Sequence, residues 1–218
     1  MANKGQSNRV RIWLFRTICF CWWALLSAHA TYAQTMPPRL DSLQGTLRII
    51  TEENGKLGTK TIATRLWAKG NNTRIEMLLD TGKVISIQRG NTIYVYREGD
   101  KTGTRHGVSG LAAMGLVRQI EYIKSKAKIT RSELIGGDVY YRYEFRDIFP
   151  DTAAEVLLSA KTSLPLMWFS VGRTDDGAAY LEEYLYSDME GNVDLPDSLF
   201  ELPPDVKFNL MRDMSVDR

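Results

Sequence analysis

The sequence predicts an α+β protein that is mostly β, with one main helix. Three observations support this prediction. About ten stretches alternate apolar and polar residues with a period of two, as strands with one buried face do. Turn-forming Gly, Asn and Asp residues separate these stretches. One stretch alone, residues 107–126, spaces its apolar residues at helical intervals.

Residues 1–33 have the pattern of a secretory signal peptide. A positively charged leader precedes an apolar run at 17–26, and Thr31 and Ala33 supply the small residues of a cleavage site. A membrane anchor is the alternative, but the run is shorter than the roughly 20 residues of a spanning helix. We therefore expect export and a single mature domain, 34–218.

Charge and cysteine content narrow the possible functions. The leader holds four of the 28 Lys and Arg residues and no acidic residue, so the mature chain carries 24 − 26 = −2. Both cysteines, Cys19 and Cys21, lie in the leader. The predicted mature protein thus has no disulfide, and no basic surface indicates a nucleic-acid partner.

The first half of the domain is predicted to be a strand followed by a meander. The first strand covers 44–50, with a turn at 53–55. Four antiparallel strands follow, at 61–69, 74–79, 84–88 and 92–96, and their turns contain Gly70, Gly82 and Gly90. Such a meander has one apolar face, which another element must cover.

The predicted cover is an amphipathic helix after a polar loop at 98–103. Its apolar residues run from Val108 to Ile123, and Gly110 and Gly115 weaken it by roughly 1 kcal/mol each relative to Ala. Further strands are predicted at 128–134, 138–145, 154–159, 166–171, 180–186 and 206–210. The proline-rich tail 195–204 is expected to hold Leu199, Phe200 and Leu202 against the sheet edge.

No catalytic or metal site is predicted. His106 is the one histidine of the mature chain, and a loop histidine without a second histidine is typically solvated. Asp175 and Asp176 precede a glycine between two strands, which indicates a turn. We expect no enzyme activity, no metal and no cofactor.

The order of motifs resembles the LolA-like family of outer-membrane lipoprotein carrier or sorting proteins. The resemblance spans most of the mature chain and rests on Leu66-Trp-Ala-Lys69, Arg74-Ile-Glu-Met77, Gly90-Asn-Thr-Ile-Tyr-Val-Tyr96, Leu164-Pro-Leu166 and Asp197-Ser-Leu-Phe-Glu-Leu-Pro-Pro204. It implies an incomplete, half-open antiparallel β-barrel with a helical lid over a hydrophobic cavity. It also implies a periplasmic, monomeric carrier that holds the acyl chains of a lipoprotein or lipid for transfer to the outer membrane. An inner-membrane transporter and an outer-membrane acceptor would be its partners.

The resemblance and the alternation together predict which residues line the cavity. The predicted walls are Leu47, Ile49, Ile62, Leu66, Ile75, Met77 and Leu79 from strands, with Leu111, Met114 and Val117 from the helix. One family feature is missing. The arginine that closes the lid after the Leu-Trp-x-Lys motif is replaced by Gly70-Asn71, and Arg74 cannot be assigned its role by position.

Two other interpretations remain open at the level of sequence. One is an RseB-like periplasmic sensor, or a single-domain module that binds a protein of the cell envelope. An RseB-like sensor usually carries a second domain, for which this chain has no residues left. The other is a sheet whose apolar face is filled core without a ligand.

Overall fold

The structure, a computed structural model, describes residues 37–53, 56–58, 64–149, 152–173 and 179–211. Within these ranges one helix, α1, covers Leu116–Lys126, and two short 3-10 helices cover Gly110–Ala113 and Asp197–Phe200. Thirteen strands make up most of the rest: β1 Ser42–Glu53, β2 Lys56–Gly58, β3 Thr64–Lys69, β4 Asn72–Leu79, β5 Gly82–Arg89, β6 Thr92–Arg97, β7 Thr102–Gly107, β8 Lys128–Ile135, β9 Asp138–Phe149, β10 Thr152–Ser159, β11 Pro165–Arg173, β12 Ala179–Gly191 and β13 Lys207–Leu210.

All thirteen strands belong to one open sheet. Its order is β13-β7-β6-β5-β4-β3-β1-β12-β11-β10-β9-β8, and β2 pairs with β1 beside this path. Two meanders, β3–β7 and β8–β12, are joined through β1, which pairs with β3 on one side and β12 on the other. Among the described strands only β13 pairs in parallel, with β7. The predicted class, a mostly β half-open barrel with a helical lid, is confirmed.

Tight turns set the register of the first meander. Lys69 pairs with Asn72 and Arg89 with Thr92, so two residues connect the strands in each hairpin. Gly70 and Gly90 adopt positive φ angles of 57° and 56°, as two-residue hairpin turns require. The strands predicted from 64 to 96 are therefore confirmed.

The segment between the two meanders differs from the prediction in two ways. Residues 102–107 form strand β7 rather than loop and helix start, because backbone pairing with β6 needs no apolar alternation. The predicted single helix is divided: a 3-10 helix ends at Ala113, Met114 is extended, and α1 begins after Gly115. We call residues 110–126 the lid.

The two faces of the sheet are covered by different segments. The lid covers the inner face, where Leu43, Leu47 and Leu66 pack with Ile120 and Ile123 in the main core. On the outer face the C-terminal segment from Leu195 to Leu210 covers β4–β6. Buried Phe200 lies over β4 and β5 there, so the prediction that it packs at the sheet edge is wrong, while β13 does form at that edge.

Several predictions fall outside the described residues. They are the leader 1–33, the turn at 54–55, Ile62, and the Asp175–Asp176 turn. Within the described ranges, no helix is both long enough and apolar enough to cross a bilayer. The same ranges contain no group of His, Cys, Asp and Glu side chains arranged to hold a metal ion.

Candidate functional site

A cavity of about 380 Å³ lies between the lid and the inner face of the sheet. This volume falls in the lower part of the ~300–1,000 Å³ range of small-molecule sites. Strands from both meanders and the first half of the lid contribute its walls: Leu47, Leu66, Thr73, Ile75, Gln88, Leu111, Ala112, Leu116, Gln119, Ala154, Trp168, Ser170, Glu182, Tyr184 and Tyr186.

The middle of the cavity is apolar. Leu66 pairs with Ile75 across β3 and β4, and Leu47 pairs with Tyr186 across β1 and β12. Burial raises the pKa of the Tyr186 hydroxyl well above its usual range, so this wall stays uncharged. Trp168 extends the wall from β11 and makes an edge-to-face contact with Phe145, at 5.5 Å between ring centroids.

Amide side chains hold the lid at one end of the cavity. The buried Gln88 donates its Nε2 hydrogens to the carbonyl oxygens of Gly90, at 3.0 Å, and Ala112, at 2.6 Å. Gln119 donates to the Met114 carbonyl, at 2.7 Å. The bond from Gln88 to Ala112 fixes the 3-10 helix above β5, and the bond from Gln119 to Met114, within the lid, satisfies a carbonyl at its break.

The start of α1 is seated on the β3–β4 hairpin. The Leu116 amide donates to Thr73 Oγ1, at 3.0 Å, and satisfies one of the free N–H groups of the helix. Gly115 packs directly against the backbone of Asn71 and Asn72, where an added Cβ would lie 2.4 Å from the Asn71 carbonyl carbon. The turn that follows the Leu-Trp-x-Lys motif thus contacts the lid through its backbone.

A buried lysine holds the other end of α1. Lys124, with 4% of its side chain exposed, donates to the Pro38 carbonyl at 2.8 Å and to Glu121 Oε1 and Ser163 Oγ, both at 2.9 Å. Glu121 Oε1 also accepts from the Leu40 amide, at 3.0 Å. We call this set of five residues the Lys124 lock.

The end of the cavity away from Gln88 is acidic. Glu182 pairs with Ser170 across β12 and β11, and the Tyr184 hydroxyl donates to Glu182 Oε2 at 3.1 Å. All three side chains line the cavity. The site therefore joins an apolar middle to polar groups at both ends.

The structure places the predicted cavity residues in three groups. Leu47, Leu66, Ile75 and Leu111 line the cavity. Val117 is buried in the core, and Ile49 and Met114 pack against that core without lining the cavity. Met77 and Leu79 share the face of Ile75, further along β4, and Ile62 lies outside the described residues.

Arg74 lies on the face of the sheet opposite the lid. It lies on the outer face, where Nη2 pairs with Glu76 Oε1 at 2.6 Å and Nη1 donates to the Leu199 carbonyl at 3.0 Å. These contacts anchor the C-terminal segment. Arg74 is thus not placed to close the lid.

His106 is not the solvated loop residue that the sequence suggested. It lies in β7 opposite Ile93, on the inner face of the sheet, and it is partly buried. Among the described residues, its buried Nδ1 atom has no hydrogen-bond partner. His106 does not line the cavity.

Sequence reasoning missed the contribution of the second meander to the cavity. Trp168, Ser170, Glu182 and Tyr184 all come from β11 and β12. The alternation Glu182, Tyr184, Tyr186 gave the signal for a common face. Assigning that face to the cavity required the pairing of β12 with β1, which no local pattern encodes.

We expect the backbone amides of α1 to exchange with solvent faster than those of β3. Strand β3 is hydrogen-bonded on both sides, whereas the eleven-residue helix depends on side-chain contacts to stay in place. Hydrogen–deuterium exchange followed by mass spectrometry measures both segments in one sample. Equal protection of the two would indicate a lid that does not open separately.

No protein-family model matches the chain, and no curated protein matches its sequence. Solved structures are similar in fold. A LolA superfamily protein from Nitrosomonas europaea is 15% identical, over 78% of this chain and 94% of that one, with a TM-score of 0.40. A putative outer-membrane lipoprotein-sorting protein domain from Vibrio parahaemolyticus is 13% identical, over 79% and 94%, with a TM-score of 0.37.

The MucA/MucB complex from Pseudomonas aeruginosa contains a further similar chain. It is 14% identical over 78% of this chain and 58% of that one, with a TM-score of 0.39. The predicted resemblance to the LolA-like group is thus confirmed as a likeness of fold. At these identities and TM-scores it extends no further, and evidence for function lies in the residues of the site.

Proposed function

We propose that this protein is a non-catalytic carrier or binding protein of the bacterial periplasm that holds an acyl chain of a lipoprotein or lipid. The observation that supports the proposal is the cavity beneath the lid, whose middle is apolar and whose volume suits a small ligand. In this proposal the protein is exported and binds an acylated cargo. It receives the cargo from an inner-membrane donor and transfers it to an outer-membrane acceptor.

Burial of methylene groups would supply the binding energy. Each buried methylene contributes roughly 0.8 kcal/mol, so a chain with about 14 of them gains around 11 kcal/mol before the costs of association and ordering. Leu47, Leu66 and Ile75 provide the contacts for such a chain without a cofactor or a bound metal. The cavity volume of about 380 Å³ favours one chain over several.

The lid supplies a route for loading and release. Its first half contributes Leu111, Ala112 and Leu116 to the cavity wall, so its displacement would expose the ligand. A few hydrogen bonds, which involve the side chains of Gln88, Thr73 and Lys124, hold it closed. We propose that a partner opens the lid by competing for these contacts.

Ile75→Glu is expected to weaken acyl-ligand binding at least about tenfold, because it places a charge in the apolar middle of the cavity. The assay is displacement of the uncharged fluorescent probe Nile red by monododecanoylglycerol, followed by fluorescence titration. Circular dichroism and a thermal melt establish that the variant is folded.

Leu78→Glu is the matched control. Leu78 lies on the same strand but faces outward, with 66% of its surface exposed, so its replacement should leave affinity unchanged. The proposal fails if the wild-type protein binds no acylated ligand. If folded Ile75→Glu and the wild-type protein bind the acyl ligand with equal affinity, the binding site lies outside this cavity.

A protein-binding module of the cell envelope is the second candidate. It is favoured by the exposed apolar tip of the β8–β9 hairpin, where Leu134 is 75% and Val139 is 43% exposed. Leu134 lies on the edge strand β8 and Val139 on its neighbour β9, and neither residue lines the cavity. A module of this kind would bind its partner equally well with Ile75→Glu, which distinguishes it from the carrier.

A further inference from the structure

The cavity contains one acidic side chain, placed at a defined end. Among the described residues, Glu182 is the only charged residue in the cavity wall. It lies four residues before Tyr186 on β12, a distance of about 13 Å along a strand at roughly 3.3 Å per residue. The apolar middle lies toward Tyr186, so Glu182 marks the polar end of a chain bound there.

The Glu182 carboxylate is oriented by a hydrogen bond, and among the described residues it is not paired with a cation. The Tyr184 hydroxyl donates to Oε2 at 3.1 Å, which holds the group in place and leaves its other lone pairs as acceptors. In the part of the chain that the structure describes, no Lys or Arg forms an ion pair with Glu182. Ser170, paired with Glu182 across the strands, adds a hydroxyl to the same end.

We propose that Glu182 selects the ligand by its polar end: the acyl chain carries a hydrogen-bond donor without negative charge, such as a hydroxyl, an amide or an ammonium group. The inference rests on the proposed acyl-binding function. It assigns Glu182 as a specificity-determining residue and excludes free fatty-acid anions as the preferred cargo.

The selection follows from the chemistry of a carboxylate. An ionised carboxylate accepts hydrogen bonds and cannot donate them, so it complements a hydroxyl, an amide N–H or an ammonium group. A second carboxylate beside it would be repelled, and the repulsion is stronger in a partly dehydrated cavity than in water. Chain length would set the affinity, while Glu182 would set the head-group preference.

Three ligands with the same chain test the proposal: dodecylamine, dodecanol and dodecanoate, each competing with Nile red below its micelle concentration at neutral pH. We expect dodecylamine and dodecanol to bind at least about tenfold more tightly than dodecanoate. In Glu182→Gln the affinity for dodecanoate should rise and that for dodecylamine should fall, so that the tenfold preference disappears. Glutamine can still accept the Tyr184 hydrogen bond, which preserves the local structure.

Glu183→Gln is the control for loss of one charge. Glu183 is the next residue on β12 and points to the opposite face of the sheet, so its replacement should keep the preference. Equal binding of the three ligands, or a preference unchanged in Glu182→Gln, overturns the inference and leaves the proposed function intact. Failure of all three to displace Nile red overturns both.

Discussion

Lys124→Met is expected to lower the free energy of unfolding by about 3 kcal/mol, because it removes a buried charge from three hydrogen bonds. Methionine fills a similar volume, so the loss is mainly polar. The Pro38 carbonyl, the Ser163 hydroxyl and the Glu121 carboxylate would all lose a donor. Glu121 is 25% exposed, and water can compensate it in part.

Lys126→Met is the matched control for this loss. Lys126 lies in the same last turn of α1 and is exposed, so its replacement should change the free energy of unfolding by no more than about 0.5 kcal/mol. Urea denaturation gives the free energy of unfolding of both variants. Similar stability of Lys124→Met and wild type would mean that the Lys124 lock contributes nothing net.

The same substitution should also change the lid. The Lys124 lock joins α1 to the N-terminal segment and to the turn before β11, so its loss frees one end of the helix. Bound Nile red would then dissociate faster from Lys124→Met than from Lys126→Met. Faster dissociation with little change in association is the usual kinetic result of weakened closure.

The strands of the first meander were predictable because local sequence decides them. Gly70 and Gly90 fix two-residue turns, and the alternation on either side fixes the face of each strand. The strand β7 was not predictable in this way. Thr102–Gly107 is polar with glycine at its end, and it forms because the edge of β6 offers backbone partners.

The lid was predicted as one helix because its apolar spacing continues across Gly115. The structure divides it there, since Gly115 fits closely against the β3–β4 hairpin and forms the N-cap at which α1 begins. Tertiary contact thus overrides the periodicity. A glycine inside a helical pattern can signal such close packing, but the sequence alone does not name the partner.

Only part of the candidate site could be predicted, because local sequence does not determine which distant strands pair. Leu66 and Ile75 follow from alternation beside the confirmed turn at Gly70, and Leu47 follows from alternation in the predicted first strand. Glu182 and Tyr184 enter the cavity only because β12 pairs with β1, far away in sequence. Pairing of this kind depends on the whole sheet, so the acidic end of the cavity could not be placed from local residues.

Gly115→Ala is expected to destabilise the protein by about 1–3 kcal/mol through overpacking. A Cβ at this position would lie 2.4 Å from the Asn71 carbonyl carbon and 2.8 Å from the Asn72 nitrogen, both backbone atoms that cannot turn aside. The backbone angles of Gly115, φ −61° and ψ 156°, suit any residue. Gly115 is also the N-cap of α1, where alanine is less favourable than glycine, so the substitution lacks a compensating gain.

Gly107→Ala is the control, because an added Cβ there meets no atom within 4 Å. For a domain of this size, each kcal/mol shifts the melting temperature by roughly 2–4 °C, so the two variants should separate in a calorimetric scan. A lid pushed off the hairpin would also lose the bond between the Leu116 amide and Thr73, and its amides would exchange faster. If Gly115→Ala melts at or above the temperature of Gly107→Ala, the lid is not seated on this hairpin. The Gly70-Asn71 turn would then have no part in closure.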